Sequence, residues 1–517
     1  MEGSISHVVI VGGGSAGWLT AGLIASEHRD RNGPTLRVTL LESPDVPAIG
    51  VGEGTWPTMR DTLRRIGVSE SDFVRACDAT FKQGSRFVGW RDGGADDVYY
   101  HPFVLPQGYG ETNLVAGWLA RDARIPFAHL TSFQPHLCDA GRGPKQFATP
   151  EFAAVANYAY HLDATSLGVF LREHCVQRLG VHHVVGHMEG VDSREDGDIA
   201  AIRVRGQAPL AGDLFVDCTG MRSLLLGGHY GVQTTPVSTV LFNDRALALQ
   251  VPYVQPDAPI ASHTSSTAQE AGWIWDIGLS ARRGTGYVYS SAHTSDEAAE
   301  AALRTYIEKT GGPAADSLPP ARRIDLSPGY RRTAWHRNCV AVGLASGFVE
   351  PLEASSLVLV ELAATRLAEE MPATRADMEI LSARFNDTFA YRWQRVVEFL
   401  KLHYVLSRRQ GDYWRQHRDP ETVPESLQAM LQLWTHQSPS RSDLPRSEEI
   451  FPSASWQYIL YGMGALPQPR PARRGDDPAA AEGWFREAAT LAQRMLPALP
   501  SHRALVEHIK AHGLPRI

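Results

Sequence analysis

The chain has 517 residues, 43% of them hydrophobic and 21% charged, close to an ordinary globular composition. At roughly 150 residues per domain, that length gives about three domain-sized units with room to bury a whole cofactor. With 50 basic against 57 acidic residues the net charge is −7, so no global positive field exists to hold nucleic acid or an anionic membrane; a small-molecule partner is expected.

The five cysteines (Cys77, Cys138, Cys175, Cys218 and Cys339) are odd in number and form no C-x-x-C pair, against a disulfide framework or a zinc ribbon. A reducing cytoplasm fits them. The opening Met1 to His7 is short and polar, unlike a secretory signal, and no run of 18 apolar residues occurs, so no membrane span is expected. Only five of the 50 basic residues are lysine: Lys82, Lys145, Lys309, Lys401 and Lys510.

In chain order, His7 to Val11 is a β-branched run, the pattern of a strand buried on both faces of a parallel sheet. Gly12 to Gly17 follows, then a helix from Trp18 to Ser26, then a strand from Leu36 to Leu41 ending at Glu42, which completes a β-α-β unit. Residues 50 to 90 read as a glycine-bearing loop, a helix near Thr58 to Ile66 and another near Glu70 to Lys82. Short strands are expected over 195 to 217, a second sheet over Ser238 to Ser291, and a buried strand over Cys339 to Val342. Pro351 is expected to open a long helix to about Glu370. Beyond Ala373 the pattern is helical, clearest over Phe389 to Leu406, with an exposed connection from Gln468 to Glu482.

Gly12-x-Gly14-x-x-Gly17, with Ser15 and Ala16 between, places glycines where the backbone must turn, approach a pyrophosphate and pack on the sheet. Glu42, at the end of the next strand, can accept hydrogen bonds from a ribose. Gly13, Ser15 and Gly17 also spell the nucleophile-elbow pattern, but the strand opens the chain and the glycines already have a phosphate role. The loop alone leaves FAD and NAD open. Asp217-Cys218-Thr219-Gly220 and Ala341-Val342-Gly343-Leu344-Ala345 each end a late strand that returns to the first domain, a pattern similar to flavoproteins with glutathione-reductase-like FAD binding.

Gly272-Trp273-Ile274-Trp275-Asp276-Ile277-Gly278 carries two tryptophans that face one side of a strand as a rigid apolar wall. With the FAD loop it resembles the W-x-W-x-I-P signature of flavin-dependent tryptophan halogenases. The similarity extends through Gly52 to Thr58, Phe81-Lys82, Asp213 to Leu225, Trp273 to Ser291 and Gly347 to Glu353, in the family's order. The resemblance implies an enzyme that uses reduced FAD and O2 to oxidise chloride or bromide and transfers the halogen to an electron-rich aromatic carbon. The cofactor is FADH2, delivered by a separate flavin reductase; no second G-x-G-x-x-G for NAD(P)H is evident.

By the same resemblance, Lys82 captures the oxidised halogen and Glu353 positions it and takes the arene's proton. Lysine can lose its proton for such a role; guanidinium effectively cannot. Gly52, Asp217, Gly343 and Leu344 join the FAD contacts, Trp273 and Trp275 separate flavin from substrate, and His101 and Phe103 sandwich the arene, with Trp456 as a third face. The start of the helix after Pro351 offers backbone N–H groups for halide at Ser355 and Ser356. Gly278 stands where the signature has proline, and Phe348-x-x-Pro351-x-x-Ala354-x-Ser356 replaces F-x-x-P-x-x-S-x-G. These changes leave halide preference and free-tryptophan specificity open, with indole or another substituted arene as alternatives. His182, His183 and His187 have near metal-like spacing but no cysteine or carboxylate set close in sequence, and no metal is expected.

The expected fold is α/β: an FAD-binding, glutathione-reductase-like (flavin monooxygenase-type) domain with an associated β-sheet substrate module and a largely helical C-terminal region. The expected boundaries are 1–230 and 330–372 for the FAD-binding module, with a helical insertion around 55–190, then 231–329 for the sheet module and 373–517 for the helical region. A homodimer is a family-level expectation. The rivals are a flavin-dependent aromatic hydroxylase and a flavin-binding protein without turnover.

Overall fold

The computed structural model describes residues 3–46, 52–468, 470–471 and 473–516. Gly50 and Val51 of the expected glycine-bearing loop lie outside the described residues, as do Met1, Glu2, Pro469 and Ala472. The chain divides into two compact units. The first comprises Met1–Asp78, Leu162–Val237 and Ser327–Trp393, the second Ala79–His161, Ser238–Leu326 and Gln394–Ile517.

The first unit is built on a six-stranded sheet in the order His182–Val185, Arg37–Glu42, His7–Val11, Leu214–Asp217, Cys339–Ala341 and Trp335–His336. All neighbours are parallel except the last pair. Val8, Val9 and Ile10 are fully buried, as a strand with apolar residues on both faces requires. One face packs Val9, Val11, Leu41 and Phe215 against Ile199, Ile202 and Leu226. The helix Ser15–Glu27 packs against the strand Arg37–Glu42 and against the helices Ala164–Leu179 and Ser355–Glu369.

The second unit carries a seven-stranded sheet in the order Arg322–Asp325, Arg245–Pro252, Arg282–Tyr289, Gly272–Gly278, Thr264–Gln269, Gly84–Val88 and Val98–Pro102. Only Gly84–Val88 and Thr264–Gln269 run parallel. The helix Asp296–Lys309 covers one face through Ala299, Leu303 and Ile307, packed on Leu247, Ile274 and Tyr289. Helices Glu425–Trp434, Ser453–Gly462, Pro478–Ala498 and His502–His512 belong to the same unit. Among the described residues no helix is long and apolar enough to cross a membrane.

Four expectations change. Residues 79–161 group with the second sheet, not with the nucleotide module, because Gly84–Val88 pairs with Thr264–Gln269 in register Ser266↔Phe87. The C-terminal region from Gln394 onward is likewise part of that unit, whereas residues 373–393 belong to the first. The helix expected from Glu70 to Lys82 stops at Ala76; Asp78 then turns with φ 49°, and Thr80–Lys82 becomes a strand paired antiparallel with Ala159–Asp163. The helix expected from Pro351 begins at Ser355, because Glu353 (φ 62°) and Ala354 (φ 53°) both take left-handed backbone conformations.

Candidate active site

In the first unit, the strand His7–Val11 delivers the chain into Gly12 at φ +116°, where a Cβ would lie 2.2 Å from Cys218 O. A Cβ on Gly17 would lie 1.9 Å from Gly12 O, which closes the turn to every other residue. Gly14 precedes the helix Ser15–Glu27 and provides no side-chain cap, so the first-turn N–H groups of Ser15, Ala16 and Gly17 keep the electropositive end open. The Glu42 side chain lies over Gly13, where a Cβ would approach it to 2.4 Å. Glu42 Oε2 is buried and accepts no hydrogen bond among the described residues; His183 Nε2 stands 2.8 Å away, out of line for one. A glycine cradle, an uncapped helix start and a carboxylate oxygen that accepts no hydrogen bond among the described residues fit the diphosphate and ribose of a dinucleotide.

The histidine cluster has carboxylate partners after all. His183 meets Glu42, and His187 Nε2 lies 3.0 Å from Asp45 Oδ2, because His182–Val185 pairs in parallel with Arg37–Glu42. Neither partner is near in sequence.

Asp217 has a different place from the one expected. Its fully buried carboxylate accepts from the Thr219 amide and hydroxyl through Oδ1, and from Ser223 Oγ and the Leu225 and Leu226 amides through Oδ2. Five bonds fill its lone pairs, so Asp217 shapes the turn into the π-helical segment Leu224–His229 and has nothing left for a ligand. Gly343, at φ +72°, packs on the phosphate-loop helix, where a Cβ would be 2.8 Å from Ala16 Cβ; half-buried Leu344 follows it.

Gly52 begins the short strand Gly52–Gly54, and burial pushes the Glu53 carboxyl up to about 7. Trp56 Nε1 donates to Glu353 O at 2.8 Å, tying this loop to the left-handed turn. One helical step further, Thr62 Oγ1 donates to Glu361 at 2.5 Å and Thr58 Oγ1 at 3.3 Å. Glu361 is 2% exposed, and burial pushes its carboxyl up to about 8. Buried Ser355 and half-buried Ser356 open their helix after Ala354, which supplies no side-chain cap. Glu353 itself is buried.

In the second unit, Lys82 is 1% exposed and its Nζ lies 5.4 Å from the centre of the Phe103 ring. His161, paired in the same ladder, donates or accepts at Thr264 Oγ1 (2.8 Å), and burial, then the Lys82 charge, hold its imidazole far below the usual range. His101 Nε2 meets Ser455 Oγ at 2.8 Å, with the Phe399 and Tyr458 ring centres 5.8 and 6.2 Å from its own.

Trp273 and Trp275 do share one side, with ring centres 6.5 Å apart and Trp90 behind Trp273. Gly286 on the neighbouring strand permits this, since a Cβ there would lie 2.1 Å from the Trp275 ring. Trp456 is fully buried, donates to Phe451 O at 3.1 Å and packs on Phe399 and Trp434. Its neighbour Ser455 is the residue that reaches His101. Sequence reasoning missed Ser455 and Glu361, single polar residues in helices that carry no motif.

The family model for tryptophan halogenase matches residues 7–476. Tryptophan 6-halogenase SttH of Streptomyces toxytricini is 36% identical over 96% of this chain and 96% of its own. The crystal structure of a tryptophan halogenase from Shewanella frigidimarina NCIMB 400 superposes with TM-score 0.95 at 46% identity, covering 99% of both chains. BrvH, a flavin-dependent halogenase from Brevundimonas sp. BAL3, superposes with TM-score 0.85 at 34% identity over 98% of this chain and 99% of its own. With likeness of sequence and of structure running the full length, the chain belongs to the tryptophan halogenase family and is a flavin-dependent halogenase.

Proposed function

We propose that the protein halogenates an electron-rich arene, indole or a tryptophan-like indole, with chloride or bromide, using FADH2 supplied by a separate reductase. The family match along the chain carries this reading. Gly12, Gly14, Ser15, Ala16, Gly17, Glu42, Gly52, Gly343 and Leu344 would hold FAD. When bound in its reduced form, FAD supplies with O2 the two-electron oxidation of halide. Five buried thiols without a disulfide agree with a reducing cytoplasm, where such a reductase works.

Every other step belongs to side chains and backbone. The first-turn amides at Ser355 and Ser356 would bind halide, since they are uncapped donors at the positive end of a 15-residue helix. The Trp273 and Trp275 indoles exclude water and keep the arene from the oxidising side. Lys82 Nζ holds the oxidised halogen and presents it to the ring carbon. As the ring carbon takes the halogen, the halogen's bond to oxygen (in hypohalous acid) or to Nζ (in a haloamine) breaks with its electron pair left on that atom, and the displaced ring proton would go to the Glu353 carboxylate. His101 and Phe103 orient the arene; orientation rather than charge is what an already electron-rich ring needs.

The test supplies FAD, NADH, a flavin reductase and chloride or bromide, offers indole, tryptophan and phenols, and reads products by mass spectrometry. A halogen isotope doublet that disappears in Lys82→Ala is expected. Oxygenated products formed without halide would replace this reading with an aromatic hydroxylase, and product unchanged in Lys82→Ala would remove Lys82 from the chemistry.

A further inference from the structure

The strand that presents Lys82 has three residues, too few to hold an amine in place by ladder bonds alone, and each is tied from a different direction. Thr80 Oγ1 donates to Gly278 O at 2.6 Å; Lys82 pairs with Ala159; the next residue, Gln83, donates its amide to Ser262 O at 2.7 Å. The Phe81 amide is not spent on a neighbouring strand. It donates to His502 Nε2 at 2.8 Å, while His502 Nδ1 meets Ile260 O at 3.1 Å. That pair of contacts defines one tautomer, proton on Nδ1 and lone pair on Nε2, and only the neutral ring can make both. The ring is fully buried at the first turn of the helix His502–His512 and lies 6.0 Å from the Phe81 ring. Burial holds its pKa down to about 4, so it stays neutral across the working range.

We propose that His502 is a positioning residue for Lys82: by accepting the Phe81 amide it fixes the register and direction of the Thr80–Lys82 strand, and so the place of the amine. The inference rests on the reading of Lys82 as the halogen-transferring group. A lysine displaced by about an ångström costs on the order of a hundredfold in a positioned reaction. Halide binding is assigned to Ser355 and Ser356 and halide oxidation to reduced FAD, so both are expected to be unchanged by that displacement.

The test uses the full-length protein with its reductase, bromide, catalase and the arene that the parent halogenates, in the presence of excess β-diketone that traps any free oxidised halogen. His502→Asn shortens the side chain so that it still reaches toward Ile260 O but not Phe81 N; His502→Gln restores an acceptor near the position of Nε2. The expected result is a split. The Asn variant binds FAD and brominates the trap within twofold of the parent but loses at least tenfold in brominated arene, as Lys82→Ala does, and the Gln variant recovers most of it. Arene bromination in His502→Asn within twofold of the parent overturns the inference. So does parallel loss of trap and arene bromination in both variants, which marks a structural histidine. If Lys82→Ala itself keeps its arene product, the reading of Lys82 has failed instead.

Discussion

Glu361 gives the most direct test of how the first unit is held together. It sits on the helix that begins at Ser355 and receives hydrogen bonds from Thr58 and Thr62, on the helix that follows the Gly52–Thr58 loop. Burial raises its carboxyl from 4.5 to about 8. At 1.36 kcal/mol per pKa unit this is worth about 5 kcal/mol. Because the folded pKa lies above the unfolded one, the native state binds the extra proton between the two values. The stabilisation is therefore whole below pH 4.5, declines as pH rises, and is gone above pH 8. Glu361→Gln keeps the shape of the neutral acid and removes the titration. Urea unfolding followed by tryptophan fluorescence at pH 5, 7 and 9 is expected to show the variant gaining on the parent by several kcal/mol as pH rises, with little difference at pH 5. Parallel profiles for the two proteins would refute a buried, proton-holding Glu361.

Three further predictions concern single residues. Gly12→Ala puts a Cβ within 2.2 Å of the Cys218 carbonyl at a φ that alanine resists, so FAD binding measured by fluorescence quenching is expected to weaken at least tenfold. Trp456→Ala, a core truncation, is expected to cost about 3–5 kcal/mol in chemical denaturation, whereas Ser455→Ala, which only releases His101, is expected to raise the KM for the arene with little change in stability.

What the sequence discloses well is whatever backbone geometry dictates locally. The glycines at 12 and 17 are forced by contacts within a few residues or with the adjacent strand end, and two tryptophans one residue apart on a strand must share a face. The Lys82 strand was hidden because nothing local makes it: its partners are Ala159–Asp163, Ser262, Gly278 and His502, and without them Glu70 to Lys82 keeps a helical pattern. Trp456 is not legible from sequence, because an aromatic residue in a core and one in a substrate wall look alike until neighbours are known. Asp217 was misread for a subtler reason. A carboxylate at the end of a parallel strand can serve a ligand or cap the following turn, and only a count of its donors separates the two.

The rarity of lysine also turns out to select more than one residue. Lys82, Lys145 and Lys401 are all buried, and each ammonium lies against an aromatic ring: Phe103 at 5.4 Å, Tyr158 at 4.8 Å and Phe242 at 5.0 Å. Lys401 is additionally held at 3.0 Å by Val240 O, His417 Nδ1 and Thr422 Oγ1, a set of neutral acceptors that suits a compact, rotatable ammonium better than a planar guanidinium. Arginine supplies most surface cations and also a few buried ones (Arg283, Arg392 and Arg395), whereas three of the five lysines are interior cations that ring faces and carbonyls can solvate. Scarcity narrows the search to three amines without choosing among them. The choice falls on Lys82 through the Phe81-Lys82 resemblance, and the geometry adds a physical reason: its strand is anchored residue by residue to groups from distant parts of the same unit, an investment in direction that a merely buried cation does not need.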